Sequence, residues 1–413
     1  MTMGAAEWHK LPISLTELCI NTTLRCGQSF RWRKSTQDEW SCALHGRILS
    51  FRQDAKHLHY RAIFPSQGIL PTPPPSVAPS PAHASNRDSD DTLALIHHYF
   101  NLTPNLSALY AQWSASDPNF QKLAPKFTGV RILRQDAWEA LIGFICSSNN
   151  HISRISGMVQ NICIHYGPFI ANLDSVPYHD FPTPQALAQD GVEANLVKLG
   201  FGYRAKYISK TARMVEQRGM TWLEGLCNPE TPGFGVEEMK GAAGDMAPEG
   251  REGYRRAHGE LLALHGVGPK VADCVCLFGL GWGESVPVDT HVHQIAQRAY
   301  HFTKSKHKSL TTTTYNAVAN HFRLLWGVDA GWAHSVLFTA DLKSFAGQLA
   351  AEVEVVREDV AVKLEDGVLE EKEIATKTKK VTKKNTKRAA DGTPVVAVKK
   401  EAMVTRRSKR RRT

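Results

Sequence analysis

Apolar residues change their spacing along this chain, and each change marks a part of it. From 8 to 65, short aromatic and branched apolar runs are broken by polar turns such as Ser35-Thr36-Gln37-Asp38. The pattern predicts strands at Ser29 to Arg33, Trp40 to Leu44, Arg47 to Arg52 and His59 to Phe64, folded as an antiparallel meander. From about 92 to 226 the period becomes helical. Asp136 followed by Glu139 suits a capping box ahead of Trp138, Leu141, Ile142 and Ile145. Ile152, Ile155, Val159 and Ile162 mark a second helix, stopped near Gly167. Arg251 to Leu264 and Val271 to Leu280 read as two helices joined by a tight turn through Gly266 and Gly268, and Gly331 to Leu342 as a final helix. The class expected is α+β, an N-terminal antiparallel sheet packed on helical domains.

Three stretches lack a period. Residues 71–90 (PTPPPSVAPSPAHASNRDSD) are proline-rich and predict a flexible surface insertion. Residues 228–250 (NPETPGFGVEEMKGAAGDMAPEG) predict a disordered loop without chemistry. Periodicity is also lost after about 345. The expected domains are 1–110, 111–345 and a disordered 346–413 tail, basic from 377.

Length, charge and cysteines narrow the class. At 413 residues the chain can hold about two or three domains and a sizeable core. Its net charge of +10 is unevenly placed: 377–413 carries 15 Lys/Arg against 2 Asp/Glu, and 352–373 carries 9 acids against 3 bases. The body is therefore only mildly basic. Such a tail suits nucleic acid or an import receptor, and Arg406-Arg407-Ser408-Lys409-Arg410-Arg411-Arg412 is similar to a nuclear localisation signal. A nuclear address is expected, with a mitochondrial one left open. The eight cysteines (19, 26, 42, 146, 163, 227, 274 and 276) show no zinc or disulfide spacing and follow no signal peptide, so reduced thiols are expected. No apolar run has membrane-spanning length, and no membrane partner is expected.

Candidate chemistry concentrates between Leu264 and His291. Gly266 and Gly268 leave amides uncovered at a helix start, a natural seat for a phosphate, although a glycine turn can also merely connect. Lys270 opens the second helix and shares a face with Cys274 and Phe278. On an apolar face an amine is costly unless it reaches solvent or works as a nucleophile, for which desolvation and the positive helix end would lower its pKa. Asp289 lies 19 residues beyond Lys270 and is placed as an N-cap, a role that keeps a carboxylate ionised and free to stabilise positive charge.

Hairpin, lysine and aspartate in this order resemble the helix-hairpin-helix superfamily of DNA glycosylases, in its lysine-bearing branch. Gly27-Gln28-Ser29-Phe30-Arg31-Trp32, Cys146-Ser147-Ser148-Asn149-Asn150, Gly202-Tyr203-Arg204 and Gly331-Trp332-Ala333 with Val336-Leu337-Phe338 sharpen this to a resemblance to the eukaryotic 8-oxoguanine DNA glycosylases, over roughly residues 8 to 345. The resemblance implies excision of 8-oxoguanine from duplex DNA, opposite cytosine, with lyase activity through a Lys270 Schiff base and Asp289 as the second catalytic residue. It places Gly27, Cys274, Pro287, Asp289, His334 and Phe338 around the lesion base, sandwiched between Phe338 and the Cys274 sulfur. Asn149 would fill the space left by the flipped nucleotide, with Arg154, Tyr203 and Arg204 reading the orphaned base. Gly266, Gly268 and His291 would meet the DNA backbone. His334 departs from the family's usual glutamine, and Phe278 from its frequent methionine. No cofactor or metal is implied for the chemistry, though hairpin carbonyls near His265 and Val267 could seat a cation. A monomer acting on oxidised-guanine DNA is expected. The rivals are a glycosylase for another damaged purine and a noncatalytic DNA-binding protein.

Overall fold

The computed structural model describes residues 7–65, 90–236, 239, 241–302, 310–342 and 345. The 346–413 tail with its 406–412 cluster, and all of the proline-rich 71–90 stretch except Asp90, lie outside the described residues.

Five antiparallel strands build the N-terminal sheet: β1 (His9–Pro12), β2 (Arg33–Lys34), β3 (Trp40–Leu44), β4 (Arg47–Gln53) and β5 (His57–Ile63), in the order β1-β5-β4-β3-β2. His45 and Gly46, both at positive φ, form the two-residue turn that sets Leu44 opposite Arg47. Trp40, Cys42, Leu44, Leu49 and Phe51 pack on Leu95, Ile96, Tyr99 and Phe100, in and just after helix Thr92–Tyr99. Ala43 and Ile48 face the other way, onto Ile170, Ala171 and Tyr178. Both faces of β3 are therefore covered, which is why its alternating positions are all buried.

Several expectations need correction. Ser29 to Arg33 is not a strand; only Arg33 and Lys34 pair with β3. Side chains satisfy this segment's backbone in place of a ladder: Gln135 Nε2 donates to the Gln28 carbonyl and Gln160 Nε2 to that of Arg31, at 2.9 and 2.8 Å. Strand β1 carries no alternation and was not foreseen. Within the helical stretch, a hairpin of β6 (Phe169–Leu173) and β7 (Val176–His179) interrupts the helices.

The 228–250 stretch is not a featureless loop in its described residues. Asn228 and Thr231 donate to the Gly281 carbonyl, Glu230 pairs with Arg251 at 2.6 Å, and Phe234 packs beside His45 and His98. Its order comes from polar anchors to distant elements, which composition does not reveal.

The helical body has one large core. Asp136 caps helix Ala137–Ser147 through the Glu139 amide, but the capping box is half-made: the Glu139 carboxylate is buried against Arg31 at 2.7 Å. The two hairpin helices are Glu252–Leu262 and Pro269–Phe278, followed by Thr290–Ala299, Thr312–Trp326 and Ala330–Asp341.

Candidate active site

One cavity gathers side chains from across the chain. The sheet domain contributes Gly27, at φ +90, where a side chain would press on Ile152 at 3.1 Å. Lys270, Cys274 and Phe278 line it together, as one face of their helix. Pro287 and Asp289 supply a third wall, and His334 and Phe338 a fourth.

Lys270 donates to Ser147 Oγ at 3.3 Å and stands 5.1 Å from the centre of the Phe144 ring. Ser147 donates its own hydrogen to the Phe144 carbonyl at 2.7 Å, so its lone pair is what faces the amine. Phe144 stacks on Phe278, ring centres 5.4 Å apart, which gives the departure from methionine a packing role. Sequence reasoning did not single out Ser147 or Phe144 as site residues. Ser147 lay inside the Cys146-Ser147-Ser148-Asn149-Asn150 match with no role of its own, and Phe144 carried no reading.

Asp289 caps helix Thr290–Ala299, its Oδ1 accepting from the His291 and Val292 amides at 2.9 Å each. Among the described residues Oδ2 makes no hydrogen bond to protein. Burial pushes the Cys274 thiol up to about 11 against the pull of Lys270, so it remains a neutral, soft wall. His334 is 5% exposed and neither ring nitrogen has a hydrogen-bond partner. Burial brings its imidazole down to about 4, so it is neutral at pH 7. Buried polar atoms normally find a partner, so two unpartnered nitrogens on a residue of the cavity wall call for explanation.

A second group lies around the turn after helix Ala137–Ser147. Asn149 is exposed, at φ +47, a conformation asparagine tolerates. Tyr203 is 50% exposed and donates to the Ser148 carbonyl at 3.1 Å. Arg154 is exposed and donates to the Gly200 carbonyl at 3.2 Å. The structure does not bring Arg204 to the surface with them. It is 3% exposed, and its guanidinium donates to the Ser148 and Asn149 carbonyls, propping the turn that presents Asn149. His291 is partly exposed beside Phe338, with Nδ1 3.7 Å from Asp341, whose other oxygen takes Arg298 at 2.5 Å. At the hairpin, Gly266 has φ +77 and Tyr207 lies 2.6 Å from where a Cβ would stand. Gly268 is extended and open to solvent, and no side chain caps the helix it starts. Those amides remain available to an anion. The carbonyl of His265 accepts from Thr211 at 2.8 Å.

Comparison with known proteins shows the family. Residues 10–141 match the family model of the 8-oxoguanine DNA glycosylase N-terminal domain, and 142–320 that of the HhH-GPD superfamily of base excision DNA repair proteins. The N-glycosylase/DNA lyase of Saccharomyces cerevisiae is 35% identical over 83% of this chain and 88% of its own. The N-glycosylase/DNA lyase OGG1 of Arabidopsis thaliana is 33% identical over 82% of this chain and 81% of its own. Among solved structures, that of Clostridium acetobutylicum 8-oxoguanine glycosylase/lyase with DNA containing cytosine opposite 8-oxoG has TM-score 0.60 at 22% identity, over 78% of this chain and 91% of that one.

Proposed function

This chain belongs to the N-glycosylase/DNA lyase family of the helix-hairpin-helix superfamily, and from that premise we propose that it excises 8-oxoguanine from duplex DNA and cleaves the strand at the site left behind. The observation that carries the reading is a single cavity lined by an amine, a carboxylate, an aromatic ring and an unpartnered neutral imidazole.

The damaged nucleotide must leave the base stack before the protein can reach its sugar. Cytosine is the proposed opposite base, because exposed Arg154 offers donors to its acceptor atoms. The lesion enters between Phe338 and Cys274, with His334 offering one donor and one acceptor to its edge. As the C1′–N9 bond breaks, its electron pair leaves with the base and the sugar becomes cationic. The free Oδ2 of Asp289 stabilises that cation. The lone pair of the Lys270 amine then forms a bond to C1′, and ring opening gives a Schiff base. Loss of the 2′ proton expels the 3′ phosphate and nicks the strand. The basic cluster 406–412 supports nuclear import for an enzyme whose substrate is chromosomal.

Borohydride reduction of the enzyme with an 8-oxoguanine duplex tests this. The wild type should trap a covalent adduct, and Lys270→Gln should trap none while still binding the lesion. A trapped adduct with Lys270→Gln would falsify the nucleophile assignment. Faster release of methylated adenine than of oxidised guanine would assign the pocket to another purine. Salt-sensitive binding with no adduct at all would leave only a DNA-binding protein.

A further inference from the structure

We infer that Asp273 and Tyr315 are positioning residues that set where Asp289 stands relative to Lys270, by a hydrogen-bonded relay running outside the cavity. The inference rests on the excision chemistry proposed above and adds two residues to it. Asp273 follows Lys270 by three positions on the second hairpin helix and is only 1% exposed. Burying a carboxylate costs several kcal/mol unless donors compensate it, so packing alone does not explain its presence.

Its donors come from three other elements. Tyr254, on the first hairpin helix, donates to Oδ1 at 2.5 Å, and Ser285 donates to the same oxygen at 2.8 Å. Tyr315, on helix Thr312–Trp326, donates to Oδ2. His258 Nε2 stands 3.8 Å from Oδ1. The Tyr315 hydroxyl, with its hydrogen committed to Asp273, accepts from the Val288 amide at 3.3 Å. Val288 directly precedes Asp289. On its other side Asp289 is fixed by the amides it caps.

Two hydrogen bonds thus join the helix of Lys270 to the backbone amide of Val288, one residue before Asp289. Neither passes through the substrate space, because neither Asp273 nor Tyr315 lines the cavity. Hydrogen bonds in such a chain strengthen one another, and a small displacement of a charge-stabilising group slows reaction disproportionately. Tyr254 serves as the contrast: it binds the same carboxylate but has no link to Val288.

The test uses Tyr315→Phe and Tyr254→Phe, which keep ring packing and each remove one hydroxyl. Two rates are compared, single-turnover release of 8-oxoguanine and borohydride trapping on a preformed abasic duplex, where no base has to leave. Tyr315→Phe should slow base release about tenfold and leave trapping within about twofold, whereas Tyr254→Phe leaves both within about twofold at a similar loss of Tm. Equal slowing of both steps by Tyr315→Phe, equal effects of the two variants, or an unaffected Tyr315→Phe would overturn the relay while the function stands. A wild type that releases no oxidised guanine would overturn the functional reading, and the relay with it.

Discussion

Both amides that Asp289 caps bind its Oδ1, so one carboxylate of the cavity wall holds a helix start while its Oδ2 makes no hydrogen bond among the described residues. Asp289→Asn keeps an acceptor for the cap and removes the charge. Base release should fall about 100-fold, with Tm changed little. An unaltered release rate would remove Asp289 from the chemistry. His334 makes a prediction about pH. Burial lowers its imidazole from the usual 6.5 to about 4, although Asp289 and Asp273 pull the other way. The unfolded chain therefore takes up a proton as pH falls below 6.5, whereas the folded chain resists until about 4. The stabilisation is complete above about 6.5 and is lost through about 4, a change of roughly 3 kcal/mol. A Tm-against-pH series should show that decline, and His334→Gln should flatten it. The same slope in both proteins would assign it to another group. Lys270 and Asp289 were legible as residues because each opens a helix and carries local signals. Ser147 was not, because its partner lies 123 positions away.

At the scale of elements, the hairpin acts through what its glycines leave uncovered. Gly266 combines a positive φ with the close approach of Tyr207, so any side chain there is strained twice. Gly266→Ala should cost about 2 kcal/mol or more and weaken duplex binding more than the rate at saturating DNA. Binding titrations and single-turnover rates would show the split; a rate loss without weaker binding would contradict it. Helix Pro269–Phe278 was readable because Lys270, Cys274 and Phe278 recur at its period. The Ser29–Arg33 segment was misread as strand, since branched and aromatic residues suit both a ladder and a buried coil. Only the donors Gln135 and Gln160, more than 100 residues away, distinguish the two.

For the whole molecule, the cavity exists because the sheet domain brings Gly27 to a helical body that supplies the other walls. Arg31 ties the two together. Its guanidinium is buried, with Glu139 at 2.7 Å and Asp180 at 3.3 Å. Removing one partner of such a group leaves uncompensated charge in the interior. Arg31→Ala should destabilise folding by about 3–5 kcal/mol, read as a lower urea midpoint. Adding Glu139→Leu should recover part of that loss. A single variant as stable as wild type would show that the ion pair carries no part of the junction.

What the amino-acid order determined by itself was local: helix and strand periods, the capping aspartates, and the glycine turn ahead of Lys270. These depend on neighbours within a few positions, and short-range sterics and hydrogen bonding read them out. Tertiary structure alone decided contacts such as Lys270 beside Ser147 and Arg204 turned inward beneath Asn149. It also decided that the start of 228–250 is anchored, since the partners of Asn228 and Glu230, Gly281 and Arg251, lie outside the stretch. Such contacts follow from the burial of shared apolar faces, whose pairing no local window contains.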